Sequence, residues 1–186
     1  MKTKLALFDL DGTLFDTGEV NFMAYKTALE ECGFSLDHDY YVDKCNGMQY
    51  KVFLPGIVGH NVEIMERVHI RKKALYESFL NRAKINKHLF SIARALKEDY
   101  YIAIVTTASK KNTMEILNYF HKTDLFDLIL TQEDIQQPKP DPEGFLKVME
   151  YFKINGENTV IFEDSQVGIM AAKECNATVM VVNQFK

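Results

Sequence analysis

Four acidic residues stand where carboxylates are costly. Asp9 and Asp11 flank Leu10 directly after the apolar run LALF, and Glu163 and Asp164 follow the apolar run VIF. Two nearby carboxylates repel unless a cation, a shared proton or a set of donors compensates them. An acidic pair repeated at the ends of two buried strands therefore points to a bound cation. Magnesium suits such a site, because it takes oxygen ligands and usually binds together with substrate phosphates. Taken alone, Asp9 and Asp11 also read as a turn or a helix cap. Gly12, next in the chain, fits a tight turn that brings backbone N–H groups near the site.

Two further groups complement the carboxylates. Thr106 and Thr107 close the apolar run YYIAIV. Hydroxyls and exposed N–H groups at a strand end can hold phosphate oxygens, although threonines also cap helices. Lys139 sits in QQPKPDP, where flanking prolines restrict the backbone and make the placement of its ammonium reproducible. It can neutralise a phosphate or screen the aspartates from one another. A solvated surface lysine is the alternative.

These groups need elements to hold them. Residues 4–8 read as a buried strand ending at Asp9, and residues 16–31 as a helix on the spacing of Phe22, Tyr25 and Leu29, stopped by Gly33. Residues 37–58 are punctuated by Gly47, Pro55 and Gly56 without a clear pattern. Residues 61–83 read as one long helix with Asn61 as its cap. Strands are expected at 100–105, 125–130, 159–162 and 177–182, with helices at 88–98, 111–120, 143–153 and 166–175. From residue 100 onward strand and helix alternate with short loops, the pattern of a mostly parallel sheet with helices on both faces. The first strand must join that sheet across a helical insertion. Residues 1–15 and 86–186 are thus the expected core, and residues 16–85 an expected cap at the carboxyl end of the first strand, where open α/β sheets bind ligands.

The 186 residues carry 22 basic and 26 acidic side chains, a formal charge of −4, and 47% are hydrophobic. That balance argues against disorder and against broad binding to a nucleic-acid backbone. The apolar run behind the N-terminal lysines is broken by Asp9 and Asp11, too soon for a signal peptide. No stretch is long enough for a membrane span, so a cytoplasmic location is expected. Cys32, Cys45 and Cys175 are odd in number and widely spaced, which makes neither a disulfide framework nor a zinc motif. The histidines at 38, 60, 69, 88 and 121 form no compact metal pair.

The ordered pieces DLDGTLFDT (9–17), IVTTAS (104–109), KPDP (139–142) and FEDSQVGIMAA (162–172) together resemble the motifs of haloacid-dehalogenase-type hydrolases with a small helical cap. The resemblance implies an α/β fold, a Rossmann-like mostly parallel sheet flanked by helices, with an inserted α-helical cap. It implies Asp9 as the nucleophile that forms an aspartyl-phosphate, and Asp11 as general acid and base. Thr106 and the Thr107 backbone N–H would hold phosphoryl oxygens, and Lys139 would neutralise them and orient Asp9. Magnesium would be bound by Asp9, the Asp11 main-chain carbonyl, Asp164 and, directly or through water, Glu163.

On that resemblance the expected activity is hydrolysis of a small phosphorylated metabolite, with a sugar phosphate as one candidate and no obligate protein partner. A sugar-phosphate mutase is the alternative, since ASKKN and FEDSQVGIMAA are similar to segments of beta-phosphoglucomutases. Those mutases, however, typically carry a histidine where this chain has Asn21. They also place an arginine after the cap's glycine, where Gly47 is here followed by MetGlnTyr. A noncatalytic phosphate- or protein-binding module is the third reading. Asn21, Lys44, Tyr50, Arg71 and Lys72 are the cap residues that can contact substrate, although helix 61–83 can equally expose its charges to solvent.

Overall fold

The computed structural model describes residues 2–183 and 185. The chain forms two compact units. One runs to Asp16 and resumes at Lys84; the other is Thr17–Ala83.

The first unit is built on five parallel strands. They are β1 (Lys4–Phe8), β4 (Tyr100–Val105), β5 (Leu128–Leu130), β6 (Thr159–Glu163) and β7 (Thr178–Val181), in spatial order β5-β4-β1-β6-β7. Helices α6 (Lys87–Leu96), α7 (Lys110–Tyr119), α8 (Glu143–Phe152) and α9 (Gln166–Lys173) alternate with them. β1 is central and its residues Leu5–Phe8 are fully buried, as expected of a strand covered on both faces. Alternation splits its side chains. Leu5 and Leu7 join Ala103, Val105, Ile161, Phe145 and Val148 in one core cluster. Phe8 points the other way and stacks on Phe162 with ring centroids 4.6 Å apart.

A second pairing escapes the apolar pattern. β2 (Phe15–Asp16) and β3 (Lys84–Ile85) form an antiparallel ribbon with Phe15 opposite Ile85 and Asp16 opposite Lys84. Asp16 therefore belongs to a strand, and the expected helix 16–31 is shortened to α1 (Gly18–Glu30). Strands of two residues are too short to show a period of two, and Asp16 is placed by its pairing partner across the insertion.

The second unit holds α1, three short helices α2 (His38–Lys44), α3 (Tyr50–Phe53) and α4 (Pro55–Val58), and α5 (Val62–Leu75). Its core gathers Phe22, Tyr25, Ala28, Leu29, Tyr41, Phe53, Leu54 and Val68. The single helix expected over 61–83 is instead α5 followed by a 3₁₀ turn at Tyr76–Arg82. Tyr76 and Leu80, four residues apart, are both buried, so the apolar spacing runs through the change of winding without marking it. Asn61 caps α5 as expected, its Oδ1 accepting from Ile64 N–H at 3.1 Å. All three cysteines are free. Among the described residues no helix is long and apolar enough to cross a membrane.

Candidate active site

The parallel register brings three strand ends to one level. Phe8 lies opposite Ile104 on one side and Phe162 on the other. The next residues along, Asp9, Val105 and Glu163, therefore meet at the carboxyl edge of the sheet, with Thr106 and Asp164 one step beyond. The Asp9 N–H donates to Phe162 O at 3.0 Å, and Thr106 N–H to Leu130 O at 3.0 Å.

Lys139 arrives from the loop between β5 and α8 and spends all three ammonium hydrogens there. It donates to Asp9 Oδ1 at 2.5 Å, Glu163 Oε2 at 2.7 Å and Val105 O at 3.1 Å. Lys139 is thus a buried ion-pair partner, and the solvated-lysine alternative fails. Burial alone would lower its pKa, but the charges of Asp9 and Glu163 outweigh it and hold the ammonium protonated. Burial, and next the Glu163 charge, push the Asp9 carboxyl well above the usual carboxylate range against the pull of Lys139.

One oxygen each of Asp9, Glu163 and Asp164 falls within 4.8 Å of the others. Three acidic groups gather around one ammonium, a surplus of acidic oxygens that a divalent cation would balance. An all-oxygen donor set of this kind fits magnesium. The site is also shaped for these carboxylates. A Cβ on Gly12 (φ +87°) would stand 2.4 Å from Asp164 Oδ2, and one on Gly168 would stand 2.1 Å from the Glu163 carboxyl carbon. Close approach requires glycine at both positions, and at Gly12 the positive φ requires it as well.

Asp11 is outside this carboxylate group, although its charge adds to the upward shift of Asp9. The loop carrying it is wound tightly, with Gly12 N–H donating to Phe15 O at 2.7 Å and Leu14 and Phe15 N–H both donating to Leu10 O. Thr106 is buried and its Oγ1 accepts from Ala108 N–H at 3.0 Å, while Thr107 is exposed. The threonines thus leave the strand as neighbours with opposite exposure.

Three further residues hold the site together. Thr13 Oγ1 donates to Asp164 Oδ1 at 3.1 Å. Ser165 caps α9, its Oγ accepting from Gly168 N–H, and the same hydroxyl donates to Glu163 Oε1 at 2.8 Å. Glu163 Oε1 also accepts from the N–H groups of Asp164 and Ser165. Asn86 donates to Thr13 O at 3.1 Å from a buried position. The first two were not expected at the site, although each is a small hydroxyl residue near an acidic strand end; Asn86 carries no local signal, because its partner lies 73 positions away.

The five cap candidates lie in the helical unit. Asn21 donates from Nδ2 to Thr17 Oγ1 at 3.2 Å. Tyr50 donates its hydroxyl to Glu66 at 2.6 Å and stacks on His69 with centroids 3.8 Å apart. Arg71 grips Glu31 through two bonds of 2.7 and 2.9 Å. Lys72 is only 9% exposed and its ammonium lies 5.2 and 5.1 Å from the Tyr25 and Tyr76 rings. Lys44 is exposed in the last turn of α2. Arg71 and Lys72 thus already have partners within the unit.

Comparison with known proteins extends the geometry. The family model described as haloacid dehalogenase-like hydrolase matches residues 6–182. A phosphorylated carbohydrates phosphatase of Thermotoga maritima is 28% identical over 90% of this chain and 79% of its own. A beta-phosphoglucomutase of Bacillus subtilis is 27% identical over 97% and 84% respectively. The crystal structure of CbbY from Rhodobacter sphaeroides in complex with phosphate superposes with a TM-score of 0.84 at 21% identity, covering 98% of this chain and 87% of that one.

Proposed function

Because the chain belongs to the haloacid dehalogenase-like hydrolase family, we propose that it is a magnesium-dependent phosphatase acting on a small phosphorylated metabolite. The observation that carries the reading is Asp9: a buried carboxylate bonded to Lys139 at 2.5 Å and within 4.8 Å of the Glu163 and Asp164 oxygens. The helical Thr17–Ala83 unit is the inserted cap domain of this reading. A phosphorylated carbohydrate is the favoured substrate class, supported by the relative from Thermotoga maritima.

Asp9 attacks the phosphorus of the ester and the phosphorus–oxygen bond to the leaving group breaks, which leaves an aspartyl-phosphate. Asp11 gives its proton to the leaving oxygen. The Asp11 carboxylate then takes a proton from water, which attacks the same phosphorus and releases phosphate and free Asp9. Thr106 and the Thr107 N–H hold the equatorial oxygens, and Lys139 opposes their charge. A magnesium ion held by Asp9, Glu163, Asp164 and the Asp11 main-chain carbonyl would add charge compensation and in-line alignment.

A mutase reading draws support from the Bacillus subtilis relative, but Asn21 speaks for water as the acceptor. Its amide cannot transfer protons, and it is bonded to Thr17. The test is a magnesium-dependent screen of phosphomonoesters that reads phosphate release and phosphorylated products together. Release of phosphate from sugar phosphates supports the hydrolase. Conversion of beta-glucose 1-phosphate to glucose 6-phosphate without phosphate release would replace it with the mutase.

A further inference from the structure

The loop that carries Lys139 is fastened by a carboxylate to which the chemistry above gives no part. Residues 135–142, between β5 and α8, contain no helix or strand. Glu143 opens α8, and its two carboxylate oxygens accept from Gln136 N–H at 3.0 and 3.1 Å and from Gln137 N–H at 2.6 Å. Lys147, one turn along α8, pairs with Glu143 at 2.6 Å and donates to Asp134 O at 2.9 Å. On the other side of Lys139, Asp141 N–H donates to Pro138 O at 3.1 Å and Asp141 Oδ1 accepts from Glu143 N–H at 2.9 Å.

The segment is therefore pinned on both flanks of Lys139, and each pin ends on the first two turns of α8. That helix start is itself closely packed against β4. A Cβ on Gly144 would stand 2.9 Å from Val105 Cγ1, and the ring of buried Phe145 lies 5.1 Å from the Lys139 ammonium. The bond from Lys147, followed by the two backbone donors, holds the Glu143 carboxyl down to about 2, so the clamp stays ionised at neutral pH.

We propose that Glu143 is a positioning residue for Lys139: it ties the backbone of Gln136 and Gln137 to α8 so that the lysine ammonium reaches Asp9 and Glu163. The inference rests on the reading of Lys139 as the lysine that serves phosphoryl transfer. The ammonium makes three bonds at once, to Asp9, Glu163 and Val105, so a shift of the backbone that carries it disturbs all three together. Misplacement of a reacting group by about 1 Å is enough to cost up to about a hundredfold in rate.

A double-mutant cycle with p-nitrophenyl phosphate and magnesium tests it. Glu143→Ala is expected to lower kcat/KM about tenfold, and Lys139→Ala by about 10²–10³. The combined variant is expected to be no worse than Lys139→Ala, because Glu143 acts only through that lysine. Glu143→Gln, which keeps an acceptor oxygen, is expected to recover part of the loss. The proposal is overturned if Glu143→Ala costs nothing, or costs the same factor with and without Lys139. If the wild type releases no phosphate from any ester, the hydrolase reading fails. The crystal structure of Glu143→Ala then decides the clamp: a Lys139 ammonium displaced from Asp9 supports it, and one left in place overturns it.

Discussion

At the scale of the residue, the site depends on how little room its carboxylates have. Gly168 is fixed by Glu163, whose carboxyl carbon would stand 2.1 Å from an added Cβ. Glu163 is fully buried and already holds Lys139, so it cannot move aside without breaking that pair. Gly168→Ala is expected to lower stability by about 1–3 kcal/mol, the range for overpacking, and to lower phosphatase activity with it; urea unfolding and turnover measured on one sample check both. A second expectation concerns pH. Burial, then the charges of Lys73 and Lys72, push the His69 imidazole down from 6.5 to about 4. Between those values the unfolded chain binds a proton that the folded chain refuses, so stability falls as pH drops from about 6.5 toward about 4. Replacing His69 by Phe, which can still stack on Tyr50, should flatten urea-unfolding stability across that window; an unchanged slope would remove His69 as its source.

At the scale of the element, three strand ends and one loop converge because the sheet is parallel and β1 is central. That much was legible: the runs LALF, YYIAIV and VIF are continuous and apolar, as doubly covered strands are, and each is followed by a polar group that the register brings to one edge. The β2–β3 ribbon was not legible, since two-residue strands carry no period and Asp16 finds Lys84 only after the insertion has folded back. The breakup of 37–58 into three short helices was hidden for a related reason, because pieces of four to seven residues show too little of a 3.6-residue period. Lys139 was legible through its flanking prolines, whereas its clamp was not, because Glu143 looks like any acidic residue in a first helical turn. The α9 N-terminus gives a test at this scale. Ser165 caps the helix and also holds Glu163, so Ser165→Ala is expected to cost about 1 kcal/mol in urea unfolding and to weaken magnesium activation. A stability loss with unaltered magnesium activation would reduce Ser165 to a cap.

At the scale of the whole molecule, the net charge says less than its distribution. The formal charge is −4, yet the surplus that matters is local: three carboxylates around one ammonium. Magnesium binding to the folded chain alone should raise its stability by about 2.7 kcal/mol at a hundredfold excess over Kd. Thermal unfolding with and without magnesium should show that gain in the wild type and lose most of it in Asp164→Asn; an equal gain in both would place the metal elsewhere. The central claim is covalent catalysis by Asp9, and trapping the intermediate tests it most directly. Asp11→Asn, slowed in activating water, is mixed with magnesium and p-nitrophenyl phosphate, whose leaving group needs no proton, then quenched in acid and digested for peptide mass analysis. The account requires a phosphoryl adduct on the peptide containing Asp9, absent when Asp9→Asn is added to the same chain. Turnover by Asp9→Asn at the wild-type rate, or an adduct on another residue, would contradict it.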